Sequence, residues 1–349
     1  MSITNIFDCE QRRYFGGYSD FVDGGDGFLY GIPFYACKVF QFNFKDKSIK
    51  EIGPDLGRGT RKYESGVLAA NGSIYCIPRC TDSAKHILKI TPNGGGDAEV
   101  AILKDVELPE AGYDLWAPGC LAKDGCIYYM PNEASQILKL DPNDDDRVSL
   151  VGEDLGYKMY EAAVAGSDGM IYCLPYLSKQ LFKFNPEDNV VSNVGAAFEE
   201  DPMFRGGVLA TDNNIYAANK YGQILKINTN NNDYELIGYR ITEELGDNGW
   251  GSAVLGTDQC IYFPPFQFDR VLCFNPISQQ VSLVGDSFKD ESCTFGGYIS
   301  WWGGALAKDG FIYFVPYTDH AQILQIDVNQ RECRWWHRLL CKASCGKVK

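Results

Sequence analysis

The stretch GVLAANGSIYCIP, residues 66–78, returns in close variants six more times along the chain. Aligned on the small residue of its turn, the copies fall at Gly27, Gly72, Gly125, Gly169, Asn213, Gln259 and Gly310, 44 to 53 residues apart. Asp or Asn precedes this anchor every time, and Tyr follows it three residues later every time. Pro stands three positions further on in six copies, with Asn219 in its place in the fifth. Asx-Gly between apolar runs marks a tight hairpin, here expected to be a two-residue turn with both central residues at positive φ. Pro cannot donate to a strand ladder, so it ends the second strand. A third strand follows (HILKI from His86, QILKL from Gln136, QLFKF from Gln180, QILKI from Gln223), then a polar turn and a fourth (SLVG from Ser149, ELIG from Glu235). Four strands per unit at this period mean propeller blades. The expectation is an all-β, seven-bladed β-propeller forming one domain over residues 1–328.

The last copy raises the question of closure. Its third strand ends near Val328, and the N-terminal ITNIFD from Ile3 has the apolar spacing of a fourth strand. Residues 2–7 are therefore expected to complete the last blade and tie the chain ends together, leaving no free edge. That places residues 329–349 outside the ring as a basic tail. The tail holds six Lys/Arg against one Glu in a chain of net charge −14. Trp335, Trp336, Leu339 and Leu340 among its Arg residues would suit a peripheral contact with an anionic membrane. Cys333, His337, Cys341 and Cys345, each four apart, would share a helical face, but ligands strung over three turns cannot converge on one zinc ion. The acidic body disfavours nucleic acid, and no stretch is apolar enough to span a membrane. The first residues, MSITNIFDCEQRR, lack the apolar run of a signal peptide. Thirteen Cys, an odd number and several in strands, read as reduced thiols and a cytoplasmic setting.

Whatever recurs in every blade is scaffold, and whatever breaks the pattern is a candidate for function. Nine residues before the anchor the chain is always aromatic (Tyr18, Tyr63, Trp116, Tyr160, Phe204, Trp250, Trp301), as a wedge between blades or a rim for ligands. The next residue varies: Ser19, Glu64, Ala117, Glu161, Arg205, Gly251, Trp302. It precedes the innermost strand and belongs at the channel mouth. Candidate ligand-binding residues are thus Glu64, Glu161, Arg205, Trp250, Trp301 and Trp302. The structural alternative is an ion pair between Glu161 and Arg205, with Glu64 solvated. The loops entering the first strands are acidic and unequal, as at Glu199, Glu200 and Asp201, which suits a protein or cationic contact. Acid–base machinery is thin: three His (His86, His320, His337), and no GxSxG, HExxH or phosphate loop. Asp141, Asn143 and Asp145 lack the Gly and bidentate Glu of a calcium loop and read as a turn.

The NGxIYxIP and ILKIDP-type repeats resemble those of uncharacterised propeller proteins from algae, protists and bacteria. More distantly they are similar to the senescence-marker/gluconolactonase and virginiamycin-lyase-like propellers. The double Gly of kelch repeats and the Trp-Asp of WD repeats are missing. The first expectation is a propeller that binds a protein or a small polar ligand at its uneven mouth, without a cofactor. The distant resemblance implies the alternative, a metal-dependent lactonase-like hydrolase or lyase. There Glu64 and Glu161 would hold a divalent cation such as Ca2+.

Overall fold

The computed structural model describes residues 17–108, 112–156, 159–241, 249–285, 287–288, 300–317 and 323–329, and the backbone of the strand Glu332–Trp335. These residues form seven four-stranded antiparallel sheets, each following chain order. The first strands (Tyr18–Asp23, Val67–Leu68, Cys120–Leu121, Tyr160–Ala165, Gly207–Leu209, Val254–Leu255 and Trp301–Leu306) each touch the next around the axis, and the last touches the first. The expected seven-bladed ring is what the chain builds.

The repeated turn is the unit of construction. Its first expectation needs refining: only the anchor is left-handed, with φ from 63° at Asn213 to 103° at Gly27. Ala69 receives the Gly72 amide at 3.0 Å and gives its own amide to Ser73 at 2.9 Å; blades three to seven repeat both bonds, and blade one repeats the second, from Gly24 to Phe28 at 3.1 Å. This is a three-residue loop, a tight turn followed by one left-handed residue. Gln259 adopts the same φ, 65°, at the cost that a Cβ carries there. The Asx side chain explains why one left-handed residue suffices. Its Oδ1 accepts the amide two residues on in all seven blades, at 3.0 to 3.2 Å. Its other atom meets the repeat Tyr hydroxyl, as in Tyr30–Asp26 at 2.9 Å, Tyr128–Asp124 at 2.7 Å and Tyr313–Asp309 at 2.7 Å. The other four blades do the same, with the Asn71 amide donating to Tyr75 in blade two.

Seven apolar clusters lie between the seven pairs of neighbouring blades, one to each interface. The aromatic nine residues before the anchor sits in them as a wedge. In blades two, four, five and seven its backbone amide donates to the strand-ending Pro of the preceding blade: Tyr63 to Pro33 (3.2 Å), Tyr160 to Pro131 (3.4 Å), Phe204 to Pro175 (3.1 Å) and Trp301 to Pro265 (3.0 Å). Its side chain reaches its own third strand: Tyr63 to the His86 carbonyl (2.9 Å), Trp116 to Gln136 (3.0 Å), Tyr160 to Gln180 (2.9 Å) and Trp250 to Arg270 (3.1 Å).

Ring closure differs from the expectation. The fourth strand of blade seven is Glu332–Trp335, running from Asp327↔Glu332 to Leu324↔Trp335, so the outer strand comes from the C-terminal side and the blade boundary lies beyond 328. Residues 2–7 and 336–349 lie outside the described residues. The physical reason is local. The Asn329 amide caps Asp327 Oδ1 at 3.0 Å, the same turn that joins strands three and four at Asn43, Asp141, Asn185, Asn228 and Asn275. Closing so short a loop costs far less entropy than recruiting a strand from the other chain end. Cys333 is consequently in a strand and not on the expected helical face, and His337, Cys341 and Cys345 lie outside the described residues. Blade one meets blade seven instead through an apolar cluster in which Tyr18, Phe21, Phe40 and Phe42 pack with Ala307, Tyr313 and Val315, with Phe42 on Tyr313 at 5.2 Å. Lys47 adds a bond to the Tyr313 hydroxyl and an ion pair with Asp309 at 3.4 Å.

Among the described cysteines, Cys76, Cys80, Cys120, Cys126 and Cys173 are free thiols, as expected for small core residues, whereas Cys37 is disulfide-bonded, against the expectation of reduced thiols. No helix among the described residues is long and apolar enough to cross a membrane.

The clamps carry a pH signature. Burial first, and neighbouring carboxylates with it, raise the hydroxyl pKa of Tyr30, Tyr75, Tyr128, Tyr172, Tyr216, Tyr262 and Tyr313 above 10.0. A pKa raised by folding contributes stability that is present below the unfolded value, about 10, and is lost as pH rises toward the folded one. In an alkaline titration, tyrosinate absorbance from these seven should therefore appear only together with loss of the β circular dichroism. Full tyrosinate absorbance in a still-folded protein would contradict the clamp.

Candidate functional site

At one end of the channel the first strands begin and the second strands end. The variable residue next to the aromatic wedge leaves the strand ladder there. In blades one, four and seven the register shifts at this point, between Tyr18 and Asp20, Tyr160 and Ala162, and Trp301 and Gly304. In blades two, three and six an isolated bridge, such as Tyr63↔Pro78, replaces the ladder. A residue freed from pairing in this way is re-aimed. A second variable ring meets it, formed by the residues after the strand-ending position: Phe34, Arg79, Asn132, Tyr176, Lys220, Phe266 and Tyr317.

The two rings divide the mouth into two chemically distinct halves. On the side of blades two to four lies a buried ion-pair chain centred on Arg79. Its Nη1 bonds Glu64 Oε2, its Nη2 lies 3.2 Å from Glu161 Oε1, and its Nε lies 2.8 Å from Asp114 Oδ1. Asp114 also takes Arg61 at 2.8 Å, and the Asn132 amide donates to Glu161 Oε2 at 2.9 Å. Burial works against the Arg79 charge, but Glu161 and Asp114 outweigh it and hold the guanidinium charged. Glu64 is 4% and Glu161 3% exposed, so neither is solvated. Glu161 pairs with Arg79, not with Arg205. Deeper along the first strand of blade one, Asp20 accepts from the Ser65 hydroxyl at 2.8 Å, and burial pushes its carboxyl up to about 7.

On the side of blades six, seven and one lies an aromatic cluster of Phe34, Phe266, Trp302 and Tyr317, with Tyr35 against it. Trp302 stands 4.7 Å from Phe266 and 5.2 Å from Tyr317 between ring centroids. Gly251, the blade-six member of the variable ring, admits the Trp302 backbone: a Cβ there would stand 2.1 Å from the Trp302 carbonyl oxygen. Between the halves sits Arg205. Its guanidinium is 4.9 Å from the Tyr176 ring, 5.0 Å from Phe266 and 4.9 Å from Trp302. It donates one hydrogen bond, to the Tyr176 hydroxyl at 2.9 Å. It is 7% exposed and has no carboxylate partner among the described residues.

Of the six residues singled out in the sequence, Glu64, Glu161, Arg205 and Trp302 come together at the mouth. Trp250 and Trp301 do not: both are wedges in the interblade cores, 2% and 0% exposed. Arg79, Asn132, Tyr176, Phe266 and Tyr317 escaped the sequence reading. The signal was present, because the position after the strand-ending Pro is as irregular as the one after the aromatic wedge. A divalent metal does not fit between Glu64 and Glu161. The Arg79 guanidinium occupies that place, and among the described residues no group of three or more His, Cys, Asp or Glu is arranged to hold an ion.

No family model and no curated protein matches the chain. Solved structures do. A streptogramin B lyase superposes with a TM-score of 0.68 at 15% identity, over 89% of this chain and 93% of its own. Virginiamycin B lyase from Staphylococcus aureus gives 0.67 at 13%, over 87% and 92%. A candidate 6-phosphogluconolactonase from Bacteroides uniformis gives 0.62 at 14%, over 93% and 94%. The protein is a seven-bladed β-propeller. Its likeness to lyase and lactonase-like propellers, read first from the repeats, holds at the level of fold.

The ion-pair chain makes a direct prediction. Arg79→Met leaves Glu64, Glu161 and part of Asp114 buried without a counter-charge, which costs about 3–5 kcal/mol. An unpaired buried carboxylate has a raised pKa, so the loss should shrink as pH falls through the carboxylate range. Urea unfolding at neutral and acid pH measures both. A variant as stable as the parent at neutral pH would show that the pairs are not formed.

Proposed function

We propose that the protein is a binding propeller whose channel mouth takes a small ligand with an anionic, carboxylate-like group on an apolar body. The observation that carries this reading is Arg205. A buried guanidinium without a counter-ion is costly. Three aromatic faces offset part of that cost through cation–π attraction, while most of its N–H donors remain uncommitted. A planar fork in that state is complementary to a carboxylate, and Phe34, Phe266, Trp302 and Tyr317 supply an apolar wall beside it. The unequal acidic loops around the mouth, including Glu199, Glu200 and Asp201, are suited to select what approaches.

The enzyme reading draws less support. The virginiamycin B lyase structure is of a form inactivated by replacing a histidine with alanine. Here the described histidine, His86, precedes the third strand of blade two and serves the Tyr63 hydroxyl through its carbonyl. Glu64 and Glu161 are committed to Arg79 and not free for a metal.

Phenylacetate is a suitable probe, read by calorimetry and by quenching of Trp302 fluorescence. A charge-assisted hydrogen bond contributes about 1.5–3 kcal/mol, so Arg205→Met should weaken binding by roughly ten- to a hundredfold, with Arg205→Lys intermediate. Unchanged affinity in Arg205→Met, or no phenylacetate binding by the parent, would refute the reading.

A further inference from the structure

The opposite half of the mouth holds two acceptors that the fold does not satisfy. Glu64 gives Oε2 to Arg79, but Oε1 has no hydrogen-bond partner, although the side chain is only 5% exposed. Asn132 gives its amide N–H to Glu161, but Oδ1 has none, although the residue is 1% exposed. A buried acceptor left unmade costs about 1–3 kcal/mol, and more when it is charged. The two acceptors belong to one chain of contacts, Glu64–Arg79–Glu161–Asn132. With Asp114 and Arg61 included, that chain carries three carboxylates against two guanidinium groups. It therefore lacks both N–H donors and one positive charge.

We infer that this half of the mouth is a subsite for a protonated amine. An ammonium group has three donors and no acceptor, so it supplies what the chain lacks. A divalent metal would need hard oxygen ligands that Arg79 already engages. A water molecule could satisfy the acceptors but would leave the charge unbalanced. The inference rests on the proposed carboxylate subsite at Arg205 for its wider consequence. Together, the acidic half, Arg205 next to it and the aromatic wall beyond select an aromatic amino acid or the zwitterionic equivalent.

Three probes separate the two subsites: phenethylamine, phenylacetate and L-phenylalanine, each titrated calorimetrically into the full-length protein. The inference expects phenethylamine to bind and phenylalanine to bind at least tenfold tighter than either half. Glu64→Gln keeps an acceptor for Arg79 but turns the orphan oxygen into a donor. It should abolish phenethylamine binding while leaving phenylacetate affinity within about twofold. Asn132→Leu, which removes the second orphan without altering charge, should weaken phenethylamine by roughly tenfold and guards against a Glu64 variant that misfolds. No phenethylamine binding, or equal amine affinity in parent and both variants, overturns the amine subsite even where phenylacetate binds. Failure of phenylacetate alone, with phenethylamine still sensitive to Glu64→Gln, overturns only the Arg205 reading.

Discussion

The structure depends on one small contact repeated seven times, an Asx side chain bonded at once to a backbone amide two residues on and to a Tyr hydroxyl four residues on. The first bond shapes the turn between the two inner strands. The second fixes a large buried ring whose face packs the interblade core. The contact is also electrostatically tuned. Burial works to raise the Asp124 and Asp212 carboxyls, but hydrogen bonds from Tyr128 and Cys126 to the first, and from Asn214 and Tyr216 to the second, hold both below the ordinary range. With the turn set, the wedge aromatic and the strand-ending Pro fall into position, and the seven interblade apolar clusters, joined in blades two, four, five and seven by the wedge-to-Pro bond, turn separate sheets into a ring. In blade five, Phe204 has no polar tip for its own third strand. Asn219, in place of Pro, instead accepts the Gln223 and Tyr221 amides with its side chain.

A scaffold this regular frees its irregular positions. Beside the wedge, a register shift in blades one, four and seven and an isolated bridge in blades two, three and six turn one residue out of the ladder, and the residue after the strand end stands opposite it. The two variable rings carry no duty common to every blade, although single members such as Arg79 and Gly251 hold the fold locally. They are filled unevenly: carboxylates and Arg79 on one side, aromatic rings on the other, Arg205 between them. The ring of repeats thus supplies symmetric support for an asymmetric surface, and the chemistry resides in what departs from the repeat.

How far the sequence reveals this follows from periodicity. The anchor, its Asx, Tyr and Pro recur, so the blade count, strand order and turn positions are legible without coordinates. The turn conformation is not, because a positive φ at Gln259 leaves no mark in residue type. The closing strand misled for a related reason. ITNIFD has the apolar spacing of a fourth strand, whereas ECRW has no such pattern, and only the local turn at Asp327 decides between them. At the mouth, Glu64, Glu161, Arg205 and Trp302 could be found because they break a pattern. Their partners could not be assigned: nothing in the alignment says that the long side chain of Arg79, from the second ring, reaches across to both glutamates in place of Arg205. Trp250 and Trp301 were over-read because tryptophan draws attention, although their position is filled by an aromatic in every blade.

The central claim is that the clamps hold the ring while the two variable rings do the binding. The most direct test replaces each clamp Tyr by Phe, one blade at a time, and measures urea stability and phenylacetate affinity on the same seven proteins. Each variant should lose about 1–2 kcal/mol of stability, by similar amounts around the ring, with affinity unchanged. A clamp whose loss alters affinity while stability stays at the parental value would contradict the division between scaffold and site.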